Sequence, residues 1–204
     1  MNLQQDALPA AYWQRRYADG TTGWDRGQAS PGLDWLLDRA RQEQWRTVLI
    51  PGCGRGHEVI ALAEAGFSVT ALDYADAAIQ HLKKVTAKNR LPIELVQTDV
   101  LTYDPKNRFD AIYEQTCLCA LHPSLWSAYE RKLAQWLRPG GSLFAMFMQT
   151  TQPQGPPFAC PLGRMRELFG SETWIWSPVL GRVDHPAGLH EWACELRRAA
   201  DFQA

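Results

Sequence analysis

The run Pro51-Gly52-Cys53-Gly54-Arg55-Gly56-His57-Glu58 is where residue type and spacing in this chain point most directly to chemistry. Glycines let the backbone approach a ligand closely, because no Cβ stands in the way. A dinucleotide site needs the spacing GxGxxG, so that a pyrophosphate rests on a helix N-terminus, and glycines at 52, 54 and 56 depart from it. Taken alone, the loop is equally well a tight turn. Two acids change the weighing. Asp73 ends the strand-like run FSVTALD and Asp99 ends IELVQTD, so in a parallel sheet both project into the crevice outside the strand ends. The first can cap the next helix or accept hydrogen bonds from a ribose diol; the second can accept one from an adenine amino group. With the glycine loop, the pair points to a bound nucleoside.

The elements that must position these residues follow from the hydrophobic period. Arg46–Pro51, Phe67–Asp73, Ile93–Gln97, Phe109–Glu114 and Ser142–Met148 read as strands, alternating with helical patterns over His57–Ala65, Ala75–Asn89 and Pro123–Leu137. LRPGG at 137–141 reads as a turn, and the fully apolar Ser142–Met148 as a strand covered on both faces. Ser30-Pro31 reads as the cap and first residue of a helix reaching Gln44. After a short helix at Leu162–Phe169, the runs around Trp174 and Trp176 and over His190–Arg197 have no helix between them and should pair antiparallel. The second alternates Trp192, Cys194 and Leu196 with Glu191, Glu195 and Arg197, as a strand with one wet face does. The expected fold is a three-layer, Rossmann-like, doubly wound α/β sheet of seven strands, mostly parallel, with a C-terminal antiparallel hairpin. Length implies one domain over residues 1–204, with 1–45 as an aromatic lid and helix and 46–204 as the core.

Composition narrows the partners. With 46% apolar and 21% charged residues, intrinsic disorder and a long coiled coil are excluded. Lys+Arg number 21 against 22 Asp+Glu, without a dense basic run, so the electrostatic footprint of a nucleic-acid binder is missing and a small molecule is the expected partner. No apolar run is long enough to span a membrane, and the start MNLQQDALPAAYWQRRY lacks a secretory pattern, so a cytoplasmic protein, expected as a monomer, is implied. Five cysteines without a CxxC pair indicate reduced thiols and no metal site. Of the nine tryptophans, Trp126, Trp136, Trp174 and Trp192 read as core, while others are free to line a site.

GxGxG with Asp73 and Asp99 resembles the class I S-adenosylmethionine-dependent methyltransferases, whose sheet ends in such a hairpin. YWQRRYADGTTGWDRGQASPGL (12–33), VLIPGCGRGHE (48–58), ALDYA (71–75), TDV (98–100), IYEQTCLCAL (112–121) and GPPF (155–158) together resemble the thiopurine methyltransferase superfamily, especially its thiol and halide branch. These motifs span most of the chain in order. The resemblance implies S-adenosyl-L-methionine as cofactor, with contacts at Trp13, Tyr17, Trp24, Gly52, Asp73, Asp99, Val100 and Gln115. It also implies methyl transfer to a small soft nucleophile, a thiol first, with halide, thiopurine, tellurium and selenium species as alternatives. Two positions depart from the pattern: Tyr17 is often tryptophan in the halide branch, and Gln115 replaces a tyrosine, or the arginine of the thiopurine branch.

Trp13 and Tyr17, four apart, fall on one helix face, and Trp24 follows an ADGTTG turn, so three rings can converge on a sulfonium or staple the first helix to the sheet. Cys117, Cys119 and Phe158 are candidates for the acceptor pocket, and Glu114, Tyr113 and His122 are the nearest ionisable groups. An amino-methylating DNA enzyme would carry an Asn/Asp-Pro-Pro-aromatic run after the fourth strand, where this chain has Glu114-Gln115-Thr116-Cys117. A cofactor-binding sensor without transferase activity stays open at the level of sequence.

Overall fold

The computed structural model describes residues 8–87, 90–185 and 188–200. Helices α1 (Ala10–Ala18) and α2 (Leu33–Glu43) precede β1 (Thr47–Pro51). Strand and helix then alternate through α3 (His57–Glu64), β2 (Ser68–Asp73), α4 (Asp76–Thr86), β3 (Ile93–Gln97), β4 (Phe109–Gln115), α5 (Trp126–Trp136), β5 (Leu137–Gln149) and α6 (Leu162–Leu168). Three strands follow: β6 (Trp174–Trp176), β7 (Gly181–Asp184) and β8 (His190–Arg198). The expected end of the fourth helix at Asn89 lies outside the described residues.

The strands form one sheet in the order β3-β2-β1-β4-β5-β8-β6, with β7 also on β8. β1 to β5 are parallel, and β8 runs antiparallel to β5. Eight strands stand where seven were expected, because the last place in the sheet is shared: β6 pairs with one end of β8 and β7 with the other. Ser177 and Leu180 still donate backbone hydrogen bonds to Glu195 and Ala193 across the gap, at 3.0 and 2.9 Å. Pro178 lies between them and has no N–H to give, so the edge is interrupted there.

Successive residues of each strand serve opposite layers. Val48 and Ile50 pack with Leu36, Val59 and Leu62 from α2 and α3, while Leu49 and Ile112 pack with Trp126, Leu133 and Trp136 from α5. Trp126, Trp136 and Trp174 are core, as expected, and Trp192 is half-buried. None of the described helices is long and apolar enough to cross a membrane.

Three local readings change. LRPGG is no turn: β5 begins at Leu137, opposite Phe109, and a register shift lets the strand bulge through Gly140 at φ 72°. Helix α2 starts at Leu33, with Gly32 as its cap residue, and Ser30 Oγ instead accepts the Gly32 N–H at 3.2 Å. Of the face of β8 expected to be wet, Arg197 is exposed, but the two acids are buried, with Glu191 0% and Glu195 4% exposed. Arg26 reaches Glu191 at 3.2 Å and Arg39, from α2, reaches Glu195 at 3.0 Å, while Ser142 Oγ donates to Glu195 at 3.0 Å. Alternating charge on β8 therefore marks acids paired beneath a covering layer, the arrangement that makes a buried carboxylate tolerable.

Candidate active site

The carboxyl ends of β1 to β4 open on a cavity of about 270 Å³. Trp13, Tyr17, Trp24, Gly52, Asp73, Asp99 and Val100 all line it, and Gln115 does not. The glycine loop turns tightly out of β1. Gly52 has φ 61°, and a Cβ there would lie 3.0 Å from the Cys117 Cβ, so bare backbone is what fits between β1 and the segment after β4.

Asp73 is engaged at the entry to α4 and at the glycine loop. Its Oδ1 accepts the N–H of Ala75 at 2.8 Å, fixing the entry to α4, and its Oδ2 accepts the N–H of Gly54 at 2.8 Å, tying down the loop. A carboxylate offers about four acceptor positions, so these two bonds do not exhaust it. Burial raises its pKa, and the N–H groups of Ala75, Gly54 and Tyr74 counter that by favouring the charged form. Asp99 sits one strand over, where its Oδ1 accepts the Leu101 N–H at 2.8 Å and shapes the turn that presents Val100.

The aromatic segment is seated against the loop. Trp24 meets Trp13 and Tyr17 edge-on, with centroids 5.6 and 5.7 Å apart, and the Arg16 guanidinium lies 5.1 Å from the Trp24 centroid. Gln14, on the same helix, accepts the Ala77 N–H at 3.0 Å and so docks α1 on the first turn of α4. Burial, with Asp73 nearby, raises the Tyr17 pKa, so its phenol stays neutral.

Gln115 is turned the other way. Its Nε2 donates to Glu191 Oε2 at 2.6 Å and to Ser30 Oγ at 3.3 Å, and its Oε1 accepts from the Tyr113 hydroxyl at 3.1 Å. It lines a separate pocket of about 50 Å³ that shares Trp24, Gly52, Gly54 and Thr116 with the main cavity. Thr116, the next residue, holds φ 62°, a backbone conformation rare for a β-branched residue and found chiefly where a site demands it.

The rest of the cavity lining mixes apolar and polar side chains. Cys119, Leu121, Leu125, Met148, Pro156 and Leu189 line it there, with Arg16, Gln152, His122 and His185 also present. Most of these residues were missed in the sequence, since they come from distant segments, and no periodic signal joins them. Cys117 and Cys119 line the cavity from the turn after β4, as anticipated. Phe158 stands behind it, donating its N–H to the Cys119 carbonyl at 2.7 Å and packing edge-on against His122 at 5.5 Å. Burial pushes both cysteine thiols well up, the neighbouring Glu114 adding to the shift, so they stay protonated. Glu114 itself is buried and accepts the Leu118 N–H at 2.6 Å; burial, reinforced by Glu191, carries it to about 7. His122 Nδ1 accepts the Ser124 N–H at 3.3 Å, which places the proton of the neutral ring on Nε2.

The thiopurine S-methyltransferase family model matches residues 8–184, which include every residue that lines the cavity except His185 and Leu189. The chain belongs to that family. Its members use S-adenosylmethionine, and this chain is an S-adenosylmethionine-dependent methyltransferase. It is 31% identical over 160 residues, 77% of its own length and 70% of the other's, to a Brassica oleracea protein named thiocyanate methyltransferase 1. A probable thiol methyltransferase 2 of Arabidopsis thaliana is 30% identical over the same lengths. Among solved structures, the fold is similar to a Burkholderia thailandensis 1,6-didemethyltoxoflavin-N1-methyltransferase bound to S-adenosylhomocysteine. That likeness has a TM-score of 0.75 at 21% identity, covering 95% of this chain and 91% of that one.

Proposed function

We propose that the main cavity holds S-adenosylmethionine and that the methyl group passes to a small thiol, taken as its thiolate. The residues present fit the cofactor: Asp73 keeps acceptor positions for the ribose, Asp99 and Val100 stand where the adenine would lie, and Gly52 leaves its backbone bare. Trp13, Tyr17 and Trp24 line the cavity, and a ring face turned to a cation contributes roughly 0.5 to 2 kcal/mol depending on how dry the site is. When bound, the cofactor supplies a methyl group on positively charged sulfur.

The chain's own part is to orient and to dry. The rings and the apolar acceptor end keep water from a nucleophile that water would otherwise stabilise, and positioning alone can lower the barrier by several kcal/mol. The neutral thiols of Cys117 and Cys119 line the wall without competing as nucleophiles. A protein base is not needed, because a thiol with an ordinary pKa near 8.5 already provides some thiolate near neutrality. His122 Nδ1 already accepts the Ser124 N–H, and Glu114 is committed to the Leu118 N–H.

The observation that carries this reading is the soft, largely apolar part of the cavity lining, Cys119, Leu121, Leu125, Met148, Pro156 and Leu189, which the polar Arg16, Gln152, His122 and His185 accompany. The names of the plant relatives agree with it. Halides, thiopurines and tellurium or selenium species are alternatives that the same wall would accept. A panel of these acceptors, with alcohols and amines, assayed for S-adenosylhomocysteine, decides among them. Turnover of thiols is expected; turnover of alcohols or amines with none of any thiol would overturn the reading.

A further inference from the structure

Residues 19–29, which carry Trp24 between α1 and α2, form neither helix nor strand. The Thr21 N–H on the Arg16 carbonyl and the Asp25 N–H on the Thr22 carbonyl, both at 2.9 Å, and side-chain contacts hold Trp24 in place. Asp25, its neighbour, makes several of them. Asp25 Oδ1 accepts the Gly27 N–H at 2.8 Å and lies 2.9 Å from His57 Nε2, while its Oδ2 lies 2.8 Å from Arg55 Nε. Arg55 and His57 flank Gly56 at the end of the glycine loop, and Gly54 of the same loop donates to Asp73. Burial alone would raise the Asp25 pKa, but the Gly27 N–H, His57 and Arg55 outweigh it and hold the carboxyl below its usual value, so it is an anion hydrogen-bonded to Gly27 and His57 and ion-paired with Arg55.

We propose that Asp25 is a positioning residue for methyl transfer: it ties the segment bearing Trp24 to the glycine loop, and so sets that ring over the cavity that Asp73 also lines. The neighbouring anchors do a different job. Arg26 binds Glu191 and the Asp184 carbonyl, and Ser30 N–H binds Glu58, which fasten the segment to β8, β7 and α3. Asp25 alone, among the described contacts of the segment, bonds the side chains of the loop itself. Its partners are partly exposed, so its contribution is to geometry more than to stability.

This inference rests on the reading that the cavity holds S-adenosylmethionine, and the test keeps the two apart. Wild type, Asp73→Ala, Asp25→Ala, Asp25→Asn, Trp24→Ala and the Asp25→Ala/Trp24→Ala pair are compared for S-adenosylhomocysteine binding, kcat and KM, well below each variant's melting temperature. Asp25→Ala is expected to lower kcat/KM for the cofactor by about tenfold or more, the scale of an ångström-sized misplacement. Asp25→Asn, which keeps an acceptor for Gly27 and His57, should recover part of that loss. If Asp25 acts through Trp24, adding Asp25→Ala to Trp24→Ala should change kcat/KM by less than about twofold. Hydrogen exchange over residues 19–29 should be faster in Asp25→Ala than in wild type. An exposed control, Asp38→Ala, which removes only the pair with Arg41, should leave every value unchanged. Unaltered kinetics in both Asp25 variants, or multiplicative losses in the double variant, would overturn the positioning role while Asp73→Ala still loses binding. Full binding by Asp73→Ala would instead remove the cavity reading, and this inference with it.

Discussion

Asp73 Oδ2 accepts the backbone N–H of Gly54 at 2.8 Å, so the end of β2 and the loop after β1 are a single hydrogen-bonded unit. The loop's own turn, with the Gly56 N–H on the Cys53 carbonyl at 2.9 Å, completes it. A carboxylate that already holds the loop in place meets a ligand diol without first having to be ordered. Preorganisation of that kind spares the entropy a free side chain would lose on binding.

Replacing Asp73 with alanine should therefore weaken S-adenosylmethionine and S-adenosylhomocysteine alike. Charge-assisted hydrogen bonds of this type contribute roughly 1.5 to 3 kcal/mol, so titration calorimetry should record a rise in Kd of about tenfold to a hundredfold. Asp73→Asn should fall between, since an amide keeps one acceptor oxygen for Gly54 or Ala75 but lacks the charge. Wild-type affinity in a folded Asp73→Ala variant would remove Asp73 from the binding site.

The buried acids make stability depend on pH in a direction opposite to that of ordinary salt-bridged carboxylates. Burial raises Glu114 and Glu191 to about 7 in the folded state, well above their unfolded values. The folded chain then binds more protons than the unfolded one between the two values, so stability falls as pH rises from about 4.5 through about 7 and levels off above, at up to 1.4 kcal/mol per pH unit for each group. Urea midpoints measured at pH 5, 6, 7 and 8 should decline in that order. Glu114→Gln, which can still accept the Leu118 N–H, should flatten the slope; a slope unchanged in that variant would acquit Glu114.

How far the site could be read in advance depended on where each residue's partners lie. Gly52, Asp73, Asp99 and Val100 stand at strand ends, and a parallel sheet brings all strand ends to one edge whatever else the chain does. Trp13, Tyr17 and Trp24 were legible because two share a helix face and the third follows within one turn. Gln115 lines the neighbouring pocket for a reason no local pattern holds: its amide is taken by Glu191, 76 residues later. The same long-range pairing hid the burial of β8, since Arg26 and Arg39 cover acids that, by alternation alone, face solvent. The acceptor end drew on Leu121, Met148, Pro156 and Leu189, joined only by the fold.

Gly56 offers a test of the loop's packing rather than its polarity. It holds φ 73°, and a Cβ there would fall 2.7 Å from Leu82 Cδ1 of α4. Gly56→Ala must bear both the left-handed backbone penalty, about 1 kcal/mol or more, and overpacking of 1 to 3 kcal/mol. Gly20 has a similar φ of 67° with nothing within 4 Å of the added carbon, so Gly20→Ala should show the backbone penalty alone. Denaturation midpoints of the two variants should therefore differ, with Gly56→Ala the less stable; equal losses would mean that α4 simply yields.

If the acceptor reacts as a preformed thiolate, the acceptor and not the protein should set the pH dependence. At a fixed cofactor concentration, log(kcat/KM) should climb with a slope of about one up to the acceptor's own pKa and then level off, and the break should move with that pKa across a series of thiols. The groups at the acceptor end favour this outcome. Cys117 and Cys119 are held protonated by burial, and His122 Nδ1 takes the Ser124 N–H. Glu114 titrates near 7 but spends an oxygen on Leu118 and does not line the cavity. Were it the base all the same, a break near pH 7 would persist with every thiol and vanish in Glu114→Gln. A break that tracks the thiol in both wild type and Glu114→Gln leaves the protein the tasks of orienting and drying, while one fixed at a single pH for all acceptors would require a base that this arrangement does not provide.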